Sequence, residues 1–132
     1  MAILARVEDF FRDHRDAIVA AYVFGSIARG EEGPGSDLDI GVLLAEAPPA
    51  TLDGLRGDLA EALERLVGRD VDLVILNAAP ADLVHRVLRD GRLVLETDRA
   101  ARVRFEVQRR REYFDLLPIL EEYRRPRKAT GR

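Results

Sequence analysis

The sequence predicts an α/β (α+β) fold: about four short strands in one small sheet, flanked by helices and followed by a long C-terminal helix. Three observations predict it. Short apolar runs recur at 20–24, 40–44, 71–76 and 92–96, each bounded by polar or turn-forming residues and each of strand length. Longer segments between them place apolar residues three and four apart, the helical period. The 132 residues leave room for one domain, burying about two-thirds of the surface its unfolded chain exposes.

Each element has a local reason. Ile3, Leu4, Val7, Phe10 and Phe11 recur at helical spacing and predict a first helix ending near His14. Ala20-Ala21-Tyr22-Val23-Phe24 reads as a buried strand, and a second strand covers 37–44. After a loop at 47–50, Thr51 can cap a helix with Leu52, Leu55, Leu59, Leu63 and Leu66 along one side, weakened by Gly57. The third strand is 71–76. Pro80 opens a short helix carrying Leu83, Val84, Val87 and Leu88, Gly91 ends it, and 92–96 is the fourth strand.

The last helix is expected from near Asp98 to about Leu117, with Val103, Val107, Phe114 and Leu117 forming a stripe that reads as core more than interface. Leu116, Ile119, Leu120 and Tyr123 lie beyond that seam and are candidates for partner contact. Pro118 is expected to kink or interrupt the helix. Residues 119–125 resume it, and 126–132 form a frayed tail, so a single domain is expected over 1–125.

Composition excludes several classes. No cysteine is present, which removes disulfides and thiolate metal sites. The longest apolar stretch, 17–24, falls far short of the roughly 20 residues that cross a bilayer. Glu8 and Asp9 stand where a secretory signal needs a basic-then-apolar run, so a cytoplasmic location is expected. Net charge is −3, but residues 1–98 carry 10 Lys+Arg against 19 Asp+Glu, whereas 99–132 carry 11 against 5. A basic tail on an acidic body suits an anionic partner, and a solvated charged helix equally. No aromatic-rich basic stripe appears, so nucleic-acid binding is not expected. His14 and His85 stand apart from each other and read as surface or capping residues.

The chemistry concentrates in Gly25-Ser26-Ile27-Ala28-Arg29-Gly30-Glu31-Glu32-Gly33-Pro34-Gly35-Ser36-Asp37-Leu38-Asp39. Gly25 permits positive φ and close backbone approach. Ser26 offers a hydroxyl, and Ile27-Ala28-Arg29 can open a short helix whose N–H groups form an anion site. Alternate residues of a strand share a face, so Asp37 and Asp39 point together while Leu38 and Ile40 point to the opposite layer. Adjacent carboxylates repel, by about 1 kcal/mol at about 4 Å in water and more in a drier site. A cation between them relieves this, and Mg2+ fits because it takes carboxylate and phosphate oxygens together. Alone, Ser36-Asp37-Leu38-Asp39 is equally a polar strand entrance; the Gly-Ser turn at this separation favours a nucleotidyltransferase. Arg29 serves either phosphate or a surface ion pair. Neither a Walker A loop nor GxGxxG occurs.

Gly25-Ser26, ten residues, then Asp37-x-Asp39 resembles the signature of the polymerase-beta-like nucleotidyltransferases, and within them the short bacterial minimal nucleotidyltransferases. The likeness extends loosely to Asn77…Pro80, to Gly91-Arg92-Leu93-Val94-Leu95 and to the final helix with Phe105, Tyr113 and Asp115. It implies that family's fold, with the strands in one mixed sheet, and a third carboxylate on a neighbouring strand. Asp72, which interrupts an apolar run, is the candidate; its alternative is a solvent-facing residue on a half-exposed strand. Asp37 and Asp39 would hold two Mg2+ ions, Asp72 completing one site and orienting or deprotonating the attacking hydroxyl, with Gly25 and Ser26 on the nucleotide. The resemblance further implies ATP as donor and a HEPN-type ribonuclease toxin as partner, inactivated by AMP transfer to a tyrosine. A small acceptor such as an aminoglycoside, or an antitoxin that acts by steric masking, are the alternatives.

Overall fold

The computed structural model describes residues 2–31, 33, 35–46 and 52–124. The elements are α1 (Ala2–Asp13), β1 (Ile18–Phe24), α2 (Gly25–Ala28), β2 (Leu38–Leu44), α3 (Leu52–Val67), β3 (Val71–Ile75), α4 (Ala81–Asp90), β4 (Arg92–Glu96) and α5 (Arg99–Arg124), with a 3-10 turn at Leu76–Ala78. Thr51, the 47–50 loop and the 126–132 tail lie outside the described residues.

The sheet is mixed, in the order β3-β2-β1-β4. β1 pairs antiparallel with β2 and β4, whereas β2 and β3 are parallel. A parallel pair needs a crossover, and α3 supplies it. Side-chain alternation divides the interior in two. Leu38, Ile40, Val42 and Leu44 of β2, with Leu73 and Ile75 of β3, face Val7, Phe10 and Phe11 of α1 and Leu59 and Leu63 of α3. On the other face, Tyr22 and Leu43 meet Val84 and Val87 of α4, with Ala101 and Phe105 of α5 alongside. A register shift between Ile18 and Ala20 lets Ile18 and Ala21 share the first face although three residues apart.

Several expectations shift. β1 begins at Ile18, directly after a turn in which Ala17 takes φ 64°. His14 does cap the first helix: its Nδ1 lies 2.8 Å from the Phe10 carbonyl and its ring stacks on Phe10. Leu66 is exposed, and Val67 packs against the core in its place.

The final helix departs furthest from expectation. It runs through Pro118 without a break, at an exposed position where the carbonyl left without a partner can meet water. Its expected core stripe is not core: Val103, Val107 and Phe114 are 42%, 43% and 58% exposed. Polar contacts hold α5 instead. Arg102 bonds Glu96 at 2.5 Å and Glu106 at 2.6 Å, and Glu106 accepts the Tyr22 hydroxyl at 2.7 Å. Burial and then the bond to Glu106 push the Tyr22 phenol well above its ordinary value, so it stays a donor. Arg109 spans the carbonyls of Leu76, Asn77 and Ala79 at 3.2, 2.6 and 3.3 Å. Among the described residues, no helix is long and apolar enough to cross a membrane.

Arg102 joins two largely shielded carboxylates, so its loss strands both. Arg102→Ala is expected to lower unfolding free energy by about 1–3 kcal/mol in urea titrations. Arg104→Ala, on the exposed side of the same helix, is expected to stay within about 0.5 kcal/mol of the parent.

Candidate active site

The parallel register sets Asp39 of β2 directly beside Asp72 of β3, and the antiparallel register sets Phe24 of β1 beside Asp39. Phe24, Asp39 and Asp72 therefore form one row across three strands, on the face away from α1 and α3. Gly25 follows immediately at φ 75°, a backbone conformation that costs a side chain about 1–2 kcal/mol. Space makes the same demand: a Cβ at Gly25 would run into the Asp39 carboxylate.

Above the row lies a cleft of about 540 Å3, lined by Phe24, Gly25, Ser26, Arg29, Asp39, Asp72, Val74, Leu83, Arg86 and Asp90. Four of the five residues singled out from sequence thus share one cavity. Asp37 is the exception. Leu38 N–H donates to the Asp70 carbonyl at 2.9 Å and starts the strand, leaving Asp37 exposed one residue outside it and off the cleft wall. The approach to Asp37 is fixed by Arg69, which donates to the Ser36 carbonyl at 3.1 Å. On the other side of the loop, Glu31 N–H donates to the Ser26 carbonyl at 2.9 Å, and Arg92 grips the Ala28 carbonyl at 3.0 Å.

Electrostatics single out Asp39. Burial raises its pKa first, then the charges of Asp72 and Asp37, while Arg29 and Arg86 pull it back. Among the described residues, no three His, Cys, Asp or Glu side chains are gathered closely enough to hold a metal ion as they stand. The donor set nonetheless suits a hard divalent cation: carboxylates of Asp39 and Asp72 side by side on one wall, a third carboxylate whose charge reaches Asp39, and an open cleft in front.

Arg29 forms the surface ion pair, its Nε bonding Glu31 at 2.9 Å, and it also lines the cleft. Sequence reading missed the α4 wall of Leu83, Arg86 and Asp90. Their spacing of three and four puts them on one stripe beside the buried Val84 and Val87, a signal present in the sequence but read only for its apolar members. His85 was read as a surface or capping residue; it stacks on Tyr113 of α5 at 3.7 Å between ring centres.

Comparison with known proteins agrees with this geometry. The family model described as polymerase beta, nucleotidyltransferase matches residues 6–100, which contain the whole row and the cleft. The chain is 35% identical over 88 residues to the protein adenylyltransferase MntA of Shewanella oneidensis, across 66% of this chain and 60% of that protein. It therefore spans less than two-thirds of that relative. In structure it is similar to a toxin–antitoxin crystallised with AMP-PNP (TM-score 0.70, 25% identity, 91% of this chain and 97% of that one). The fold is also that of a chain in a complex of a tri-AMPylated Shewanella oneidensis HEPN toxin with an MNT antitoxin (TM-score 0.64, 23% identity, 92% of this chain and 96% of that one). With the family model covering well over half its length, the chain belongs to the polymerase-beta nucleotidyltransferase family.

Proposed function

We propose that this chain transfers AMP from ATP to a tyrosine hydroxyl of a HEPN-type ribonuclease toxin and thereby acts as its antitoxin in the cytoplasm. The observation that carries the transfer chemistry is the Asp39–Asp72 pair on the cleft wall, closed on one side by a glycine that leaves Asp39 no room to spare. Similarity to an adenylyltransferase and to a toxin–antitoxin crystallised with AMP-PNP supports the donor and a protein acceptor. The domain of 1–125 holds these parts, and an acceptor on a partner protein would complete the binding surface.

In this reading Gly25 and Ser26 receive the triphosphate, and Asp39 and Asp72, with Asp37 nearby, hold magnesium. A magnesium ion held by these carboxylates would supply charge neutralisation for the phosphate oxygens and the leaving group. The tyrosine oxygen attacks the α-phosphorus in line; the new O–P bond forms as the bond to the β-phosphate oxygen breaks, and pyrophosphate leaves. Asp72 faces the cleft from an edge strand and is exposed, a position from which it can accept the hydroxyl proton.

Labelled ATP, magnesium chloride and a HEPN-type ribonuclease toxin that forms a complex with this chain are expected to yield labelled toxin, with the label lost in EDTA. Label appearing on an aminoglycoside, with the toxin unmodified, would replace the acceptor. Asp39→Asn is expected to cut transfer by roughly 10²-fold or more while raising the melting temperature. The sign follows from the elevated Asp39 pKa: the folded state holds its proton more tightly than the unfolded state, so ionisation costs stability as pH rises through that interval. The gain should grow as pH rises above the ordinary carboxylate range and vanish in acid below it. Gly25→Ala should destabilise the fold by about 1–2 kcal/mol and depress kcat/KM, because the added methyl displaces the Asp39 carboxylate.

A further inference from the structure

Four arginines line the cleft and a smaller neighbouring cavity of about 150 Å3, which is formed by Asp82, His85, Arg86, Arg89, Tyr113 and Arg124. Three of the four are engaged. Arg29 bonds Glu31 at 2.9 Å, Arg89 grips Asp90 through two bonds of 2.9 and 2.8 Å, and Arg124 reaches Asp82 at 3.3 Å. Arg86 makes no hydrogen bond or ion pair among the described residues, and it is the residue common to both cavities.

Its placement is fixed by packing rather than by charge. Val84 and Val87 of α4 are fully buried against the sheet, which turns the stripe of Leu83, Arg86 and Asp90 toward the cleft. Arg86 is close enough to the carboxylate row to be felt at Asp39. The cleft therefore has an acidic wall on β2 and β3 and an unclaimed cation on α4. A polyphosphate is repelled by the acidic wall wherever a metal ion does not shield it, and is attracted to the guanidinium opposite. Guanidinium is permanently charged and presents a planar fork of donors that matches phosphate oxygens. The leaving pyrophosphate gains charge as its bond to the α-phosphorus breaks, so a donor fixed at that end favours the transition state over the bound donor.

Resting on the reading that the cleft holds ATP, we propose that Arg86 binds the β- and γ-phosphates of the donor and takes up the charge that the departing pyrophosphate gains. The residue thus sets preference for a nucleoside triphosphate over a monophosphate.

Calorimetric titration of the chain with AMP-PNP, inorganic pyrophosphate and AMP, each with magnesium chloride, tests this. Arg86→Ala is expected to weaken AMP-PNP and pyrophosphate by about tenfold or more and AMP by less than about twofold. Arg86→Lys is expected to recover part of the loss, and the unfolding midpoint of both variants should match the parent because the side chain is exposed. Equal losses for AMP-PNP and AMP, or unchanged binding of all three, would overturn the assignment. If the parent chain binds AMP-PNP yet labels no acceptor, the proposed transfer fails while Arg86 is still judged on binding alone. If the parent binds no AMP-PNP, both fall together.

Discussion

The structure is organised around one uncomfortable juxtaposition: two carboxylates set side by side by strand register, pressed against a backbone that carries no side chain. Asp39 and Asp72 are register partners in the parallel pair, and Gly25 closes in on Asp39 from β1. Partial burial disfavours the ionised form of Asp39, and the charge of Asp72 beside it adds to the cost. The fold tolerates this because the opposite face of the same two strands is a continuous apolar layer, with Leu38, Ile40 and Val42 wholly buried. A slip of one residue would put that layer in water and the aspartates in the core. The hydrophobic face thus enforces the acidic one.

The second layer follows different rules. α4 is anchored by apolar contacts and lends its polar stripe to the cleft. α5 has no buried residue and is tied down by arginines that reach carboxylates and backbone carbonyls. Among these, Arg109 also lies 5.3 Å from the centre of the Phe105 ring. Asn77, in the turn that Arg109 clasps, returns both its amide atoms to the backbone of Leu44. That chain of polar contacts connects the long helix to the end of β2 opposite the aspartates.

Much of this was legible in the sequence. The apolar alternation of 71–75 and of Leu38, Ile40 and Val42 identifies the strands and their facing by period two. That Asp72 stands beside Asp39 was implied only by the family resemblance, because it depends on the β2–β3 register. Gly25 was legible as a turn, but its closeness to Asp39 depends on the pairing of Phe24 with Asp39, which no local pattern encodes. The same holds for Arg86: its helix position is plain, whereas its lack of a partner depends on which arginines the neighbouring acids choose. α5 misled for a physical reason. A four-three repeat of apolar residues usually marks a buried seam, yet here Ala101 and Phe105 take the inward apolar positions, and Arg102 and Arg109 beside them fix the helix by their tips.

Because the tips of Arg102 and Arg109 anchor α5, its outward side chains carry little of the burden of holding the molecule together. Val103, Val107, Phe114, Ile119 and Tyr123 all stand exposed on a helix whose seating does not depend on them. Substitution at these positions is cheap in stability, because the seating of the helix rests on other atoms.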